Sequence, residues 1–252
     1  MCLVTLAFQH HPRYPLIVVA NRDEFYDRPT RAADFWTDSP NILAGRDLDA
    51  GGTWFGVDRK GSWATVTNTR GGGYRADKSR GGLPTGFLLH QGASEDYFEA
   101  VLDEGELYNG FNLLAGSVDE LLFCTNARGR VQHLKPGIFT LSNDSLDTPW
   151  PKSELARARL RQVIEDDELD SENLLSVLGS RKTFPDHLLP DTGLGIEMER
   201  SLSSPFIVGP SYGTRCTTVL LIDNKGNVEF AEQNFVQGKK LGKLRQYRFK
   251  VD

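Results

Sequence analysis

The sequence predicts an α+β fold in which stacked, mostly antiparallel β-sheets are covered by helices. Three observations predict it. Strand-like and helix-like segments come in runs, in the order strands, helices, strands, helices, strands, whereas a doubly wound parallel sheet alternates them one by one. Apolar positions in the first strands are near-continuous, as expected of sheets buried on both faces. Short turn-forming segments such as Asp58-Arg59-Lys60-Gly61 and Asp223-Asn224-Lys225-Gly226 separate neighbouring strands at hairpin length.

Leu3 to Phe8 and Leu16 to Ala20 read as the first strands, split by the turn His11-Pro12-Arg13-Tyr14-Pro15. Thr53 to Val57 and Trp63 to Asn68 form a second pair. A glycine-rich loop, Arg70 to Gly82, contains Gly71-Gly72-Gly73 and Gly81-Gly82. Its residues Arg70, Arg75, Lys78 and Arg80 read first as a solvated loop and second as an anion-facing rim, and the P-loop spacing is missing. Helical pattern follows at Leu83 to His90 and Ala93 to Leu102, with Ser94 as expected N-cap. Strands resume at Asn112 to Gly116, Glu120 to Thr125, Val131 to Leu134 and Ile138 to Ser142. Pro151 opens a charged helix to about Glu165 from the position that tolerates proline. Ser171 is expected to cap another helix through Leu178. Residues 180 to 204 are polar and aperiodic and read as a long surface loop. Thr217 to Ile222, Val228 to Glu232 and Gln246 to Val251 close the chain as strands.

The 252 residues contain no linker-like stretch, and apolar-rich segments run from residue 2 to residue 250. One domain over residues 1–252 is therefore expected. A net charge of −5 argues against a nucleic-acid platform. Lys239, Lys240, Lys243, Arg245 and Arg248 are spread through a strand-like tail and read as a solvated face. Cys2, Cys124 and Cys216 make neither a disulfide framework nor a zinc-ligand spacing, so no metal site is expected. Reduced thiols suit the cytoplasm. The start lacks the basic n-region of a signal peptide, and no apolar run approaches the roughly 20 residues of a membrane span.

Chemistry centres on Cys2. Removal of the initiator Met would leave this thiol beside a free α-amine titrating near ~8, so one residue would supply both nucleophile and base. Taken alone, Cys2 reads first as a small buried hydrophobe of a first strand and only second as a nucleophile. Asn21-Arg22-Asp23-Glu24 follows a strand that would lie beside the one carrying Cys2. An arginine there favours thiolate, although four polar residues at a strand end also make an ordinary charged turn. Asn68, Asn143 and Arg215 sit at or just beyond other strand ends, where amides close turns or converge on an oxyanion.

Met1-Cys2-Leu3, Ala20-Asn21-Arg22-Asp23-Glu24-Phe25-Tyr26-Asp27-Arg28-Pro29 and Gly51-Gly52-Thr53-Trp54-Phe55-Gly56 resemble, in this order, the NRDE-motif family. Tyr108-Asn109-Gly110-Phe111-Asn112-Leu113, Leu141-Ser142-Asn143, Thr148-Pro149-Trp150-Pro151-Lys152 and Tyr212-Gly213-Thr214-Arg215 continue the likeness. The family is also called Transport and Golgi organisation 2. It is similar in turn to N-terminal-nucleophile (Ntn) hydrolases of the choloylglycine hydrolase and penicillin V acylase type. The resemblance implies a four-layer α/β/β/α sandwich with catalytic residues at Cys2, Arg22, Asp23, Asn143 and Arg215. Substrate contacts are implied at Asn21, Glu24, Asn68 and Arg80, and Asn21 or Glu24 can exchange roles with Arg22 and Asp23. Two functional readings follow. One is a hydrolase of linear C–N amide bonds acting on a small-molecule amide. The other is a non-enzymatic carrier of an acyl lipid or haem, since the family is associated with Golgi organisation, lipid homeostasis and haem trafficking. No cofactor is implied; haem enters as a transported ligand, with Cys2 as an iron ligand and His10 or His11 as a conceivable second, although both histidines sit beside Pro12 and read first as surface turn residues.

Overall fold

The structure is a computed structural model and describes residues 2–70 and 76–252. Met1 and the loop residues Gly71-Gly72-Gly73 and Arg75 lie outside the described residues. Two antiparallel sheets make the centre, with strands numbered in chain order. The six-stranded sheet contains β1 (Cys2–Phe8), β2 (Leu16–Phe25), β10 (Gly137–Leu141), β11 (Tyr212–Ile222), β12 (Asn227–Val236) and β13 (Lys239–Lys250), in the order β10-β1-β2-β11-β12-β13. The seven-stranded sheet runs in chain order: β3 (Thr30–Phe35), β4 (Ile42–Asp47), β5 (Phe55–Asp58), β6 (Trp63–Asn68), β7 (Phe111–Gly116), β8 (Leu121–Thr125) and β9 (Gln132–His133).

Strand alternation assigns the layers. Val4, Leu6, Phe8, Leu16, Val18 and Ala20 point between the sheets and meet Phe55, Val57, Trp63 and Leu114 of the opposite one. Their neighbours Leu3, Ala7, Ile17 and Val19 point the other way, onto Ala156 and Leu160 of helix α3 (Pro151–Glu165) and Leu174 of α4 (Ser171–Val177). The outer face of the seven-stranded sheet is covered by α1 (Gly82–Leu89) and α2 (Ser94–Asp103), through Leu83, Phe87 and Phe98. This is the expected α/β/β/α sandwich. The near-continuous apolar runs are explained because each sheet is buried on both faces.

Several local expectations change. Asp170, rather than Ser171, caps α4: its Oδ1 accepts the N–H groups of Glu172 and Asn173, both at 2.9 Å, where a carboxylate also suits the helix dipole. Ser94 is the first residue of α2 rather than its cap. Residues 180–204 include a short helix, α5 (Ile196–Ser201), whose Glu199 is buried against Arg70. Most consequential for the site, β2 continues to Phe25, so Asn21-Arg22-Asp23-Glu24 is strand rather than turn. No described helix is long and apolar enough to cross a membrane.

Candidate functional site

Cys2 is paired with Arg22 across β1 and β2, and its alternation with Val4 directs its side chain between the sheets. There it lines a cavity of about 150 Å³ together with Arg22, Asp23, Asn68, Arg80 and Trp54. Burial pushes the Cys2 thiol up and the Asp23 carboxylate adds to this; the Arg22 guanidinium pulls the other way.

Arg22 is held on three sides. Its Nη1 donates to Thr30 Oγ1 at 2.8 Å, its Nη2 donates to Asp47 Oδ2 at 3.0 Å, and the guanidinium lies 4.1 Å from the Trp54 ring centroid. Asp47 also takes a fork from Arg28, at 2.6 Å from Nε and 3.2 Å from Nη2. Burial pushes Asp47 up, but Arg28 and Arg22 outweigh it and hold the carboxyl below its ordinary range. A cation fixed in this way adds a constant positive field beside the thiol.

Asp23 is buried, and its Oδ1 accepts from Thr214 Oγ1 at 2.7 Å. Burial raises its pKa, whereas Thr214 and the Lys152 ammonium lower it. Lys152, in the first turn of α3, is itself buried and donates to Leu202 O at 3.2 Å. Burial pulls its pKa down to about 8, against the Asp23 carboxylate. Asn143 donates from Nδ2 to Asn68 O at 2.9 Å and to Asn68 Oδ1 at 3.0 Å. With its oxygen occupied, Asn68 has its Nδ2–H groups to offer the cavity it lines. Ser142 Oγ donates to Cys2 O at 3.2 Å, tying the bend after β10 that bears Asn143 to the cysteine. Arg80 donates to Gly110 O at 3.1 Å. Its loop is pinned where Thr53 N–H donates to Gly81 O, beside Gly52, whose position has no room for a Cβ: one would lie 2.2 Å from Gly81 O.

The structure therefore brings Cys2, Arg22, Asp23, Glu24, Asn68 and Arg80 to one cavity, with Asn143 just behind Asn68. Two residues fall elsewhere. Asn21 faces the helical layer, donating to Leu178 O and Pro205 O and accepting from Thr217 Oγ1 at 2.6 Å, because adjacent strand residues face opposite ways. Arg215 opens on a neighbouring cavity and donates to the carbonyls of Phe25 and Arg28. His10 and His11 lie beyond the far end of β1, about 20 Å along the strand from Cys2, so neither joins it at one iron. His11 Nδ1 instead accepts the N–H groups of Arg13 and Tyr14 in the turn. Sequence reasoning missed Asp47, Trp54 and Lys152 as site residues. The signal for Trp54 and Lys152 lay in the Gly51–Gly56 and Thr148–Lys152 motifs, read there only as family markers, whereas Asp47 lies outside both.

Two antiparallel sheets between helical layers, with a cysteine on the first strand facing the inter-sheet cleft, define the Ntn-hydrolase-like fold class. Solved structures share it. The C2A variant of conjugated bile acid hydrolase from Clostridium perfringens superposes with a TM-score of 0.55 at 10% identity, covering 98% of this chain and 97% of that one. The Caenorhabditis elegans ortholog of N-acylethanolamine-hydrolyzing acid amidase gives 0.50 at 11% identity, over 87% and 92%. The chain belongs to the Transport and Golgi organisation 2 family, whose family model matches residues 1–237. It is 36% identical to the Transport and Golgi organization protein 2 homologs of Bos taurus, over 259 residues, and Homo sapiens, over 261 residues, with 94% of each chain covered in both cases. The Drosophila melanogaster protein of that name is 24% identical over 92% of each chain.

Proposed function

We propose that the protein hydrolyses linear C–N amide bonds of small molecules, with Cys2 as nucleophile after removal of Met1. The observation carrying this reading is the convergence of Cys2, Asp23, Asn68, Arg22 and Arg80 on one cavity. The thiol proton passes to the Cys2 α-amine as sulfur attacks the carbonyl carbon. The amine then gives the proton to the departing amine as the C–N bond breaks, leaving a thioester. Water hydrolyses the thioester, and the thiol is restored. Asn68, held by Asn143, donates to the oxyanion. Asp23 orients the α-amine. Arg22 supplies the fixed positive field, while Arg80 and Glu24 contact the polar end of the substrate.

The carrier reading is less favoured by the same cavity. Its walls are mostly polar or charged, unlike a site for haem or an acyl chain. The test is intact mass spectrometry of the protein after mixing with a panel of N-acyl aminocoumarins. Loss of Met1, an acyl adduct on Cys2 and release of the coumarin are expected. The Cys2→Ala variant should retain substrate binding without adduct or turnover. Retention of Met1 in an active preparation, or undiminished turnover by Cys2→Ala, overturns the reading.

A further inference from the structure

A second cavity, of about 270 Å³, lies on the other side of Arg22 from Cys2. It is built where strand pairing is interrupted. In β11 the register with β2 shifts between Thr214 and Cys216, leaving Arg215 as an extra residue. In β13 the pairing passes from Glu232↔Arg245 to Asn234↔Leu241, so two extra residues bulge around Gly242, whose φ of +69° suits glycine. In β3 the pairing with β4 passes from Arg31↔Arg46 to Asp34↔Ala44, which adds one residue next to Ala32. These three register shifts, in two different sheets, all border the same cavity. Bulges bend strands and re-aim side chains, and they gather beside functional sites.

The re-aimed side chains are cationic. Arg215, Lys243 and Arg245 line the cavity with Arg22, and no Asp or Glu is among the described residues lining it. Arg22 is paired with Asp47, which it shares with Arg28, and Arg245 lies 3.5 Å from Asp34. Arg215 is oriented by the carbonyls of Phe25 and Arg28, which fix the guanidinium without cancelling its charge. Neither Arg215 nor Lys243 forms an ion pair among the described residues. The remaining wall combines the polar Thr30 and Asn234 with an apolar side made by Phe235, Leu241 and Leu244.

We propose that this second cavity binds a small organic anion, a carboxylate carried on a short apolar chain, with Arg215 and Lys243 pairing with the carboxylate and the Phe235 and Leu241 side receiving the chain. This site does not depend on chemistry at Cys2. The test is calorimetric titration of the full chain with octanoate, 1-octanol and inorganic phosphate. Octanoate should bind and the other two should bind at least about tenfold more weakly, since each lacks one half of the recognition. Lys243→Glu and Arg215→Gln should each weaken octanoate about tenfold or more, and Arg80→Gln, in the Cys2 cavity, should leave it unchanged. Should Arg215→Gln misfold, the exposed Lys243→Glu variant decides alone. Absence of octanoate binding overturns the proposal. So does equal binding of octanol or phosphate, indifference to Lys243→Glu, or loss with Arg80→Gln alone.

Discussion

Asn21 and Arg22 are neighbours in β2, yet they belong to different layers. Asn21 faces the helices and spends its whole amide on fixed partners, Leu178 O, Pro205 O and Thr217 Oγ1. Arg22 faces the cleft and is held by a carboxylate, a hydroxyl and an aromatic face beside the thiol. One neighbour locks the sheet to the strap beyond α4, and the other electrifies the cavity. Within this run of four polar residues the strand's alternation turns Asn21 away from the cavity that Arg22, Asp23 and Glu24 line.

The largest effect expected from breaking this division is at Asp47. Asp47→Ala leaves the buried Arg22 without its carboxylate and releases Arg28, and should cost about 3–5 kcal/mol in chemical denaturation. It should also change the rate at which iodoacetamide alkylates Cys2 in the folded protein, because Arg22 keeps its charge but loses the carboxylate that holds and offsets it. Asn21→Leu comes next. It leaves two carbonyls and a hydroxyl buried without their partner, at about 3 kcal/mol, but should not change Cys2 alkylation measured on the folded fraction. Equal effects of both variants on the thiol would erase the distinction between the two faces.

Within the wild-type protein, alkylation should discriminate among the cysteines. Burial pushes Cys124 up to about 12 and Cys216 well above its ordinary value, and both are enclosed in the core. Peptide mapping after brief exposure should find the label on Cys2, with Cys124 and Cys216 modified only on unfolding.

The smallest effect concerns Lys152, behind Asp23. Its pKa of about 8 in the folded chain, against an ordinary 10.5, means that the unfolded chain binds more protons between those values. Stability contributed at this position therefore rises as pH increases from about 8 to about 10.5, by at most roughly 1.4 kcal/mol per pH unit. Lys152→Met should abolish that rise, read as the difference between the two stability profiles. A constant difference across this window would mean that Lys152 does not titrate there.

The strand pairs β1–β2 and β11–β12 were legible because continuous apolar runs end in turn-forming residues. Thr30–Phe35 and Ile42–Asp47 were not, since Thr-Arg-Ala-Ala-Asp-Phe has no apolar alternation and its strand character comes from pairing with β4. The site showed a similar split. Cys2, Arg22, Asp23 and Asn68 were marked by motif or strand-end position and Arg80 by its glycine-rich basic loop, whereas Asp47, Trp54 and Lys152 gained their roles only through contacts.

From residue order alone came the layered α+β class, the cysteine at its head and the family motifs, because local periodicity and turn chemistry are written within a few residues. Tertiary structure decided which way each polar residue faces and what neutralises it. Arg22 finds Asp47 at a separation of 25 residues, and Asp23 finds Thr214 at 191. A buried charge is tolerated only where a partner meets it in space, and that meeting depends on sheet register, bulges and stacking, which no single segment encodes.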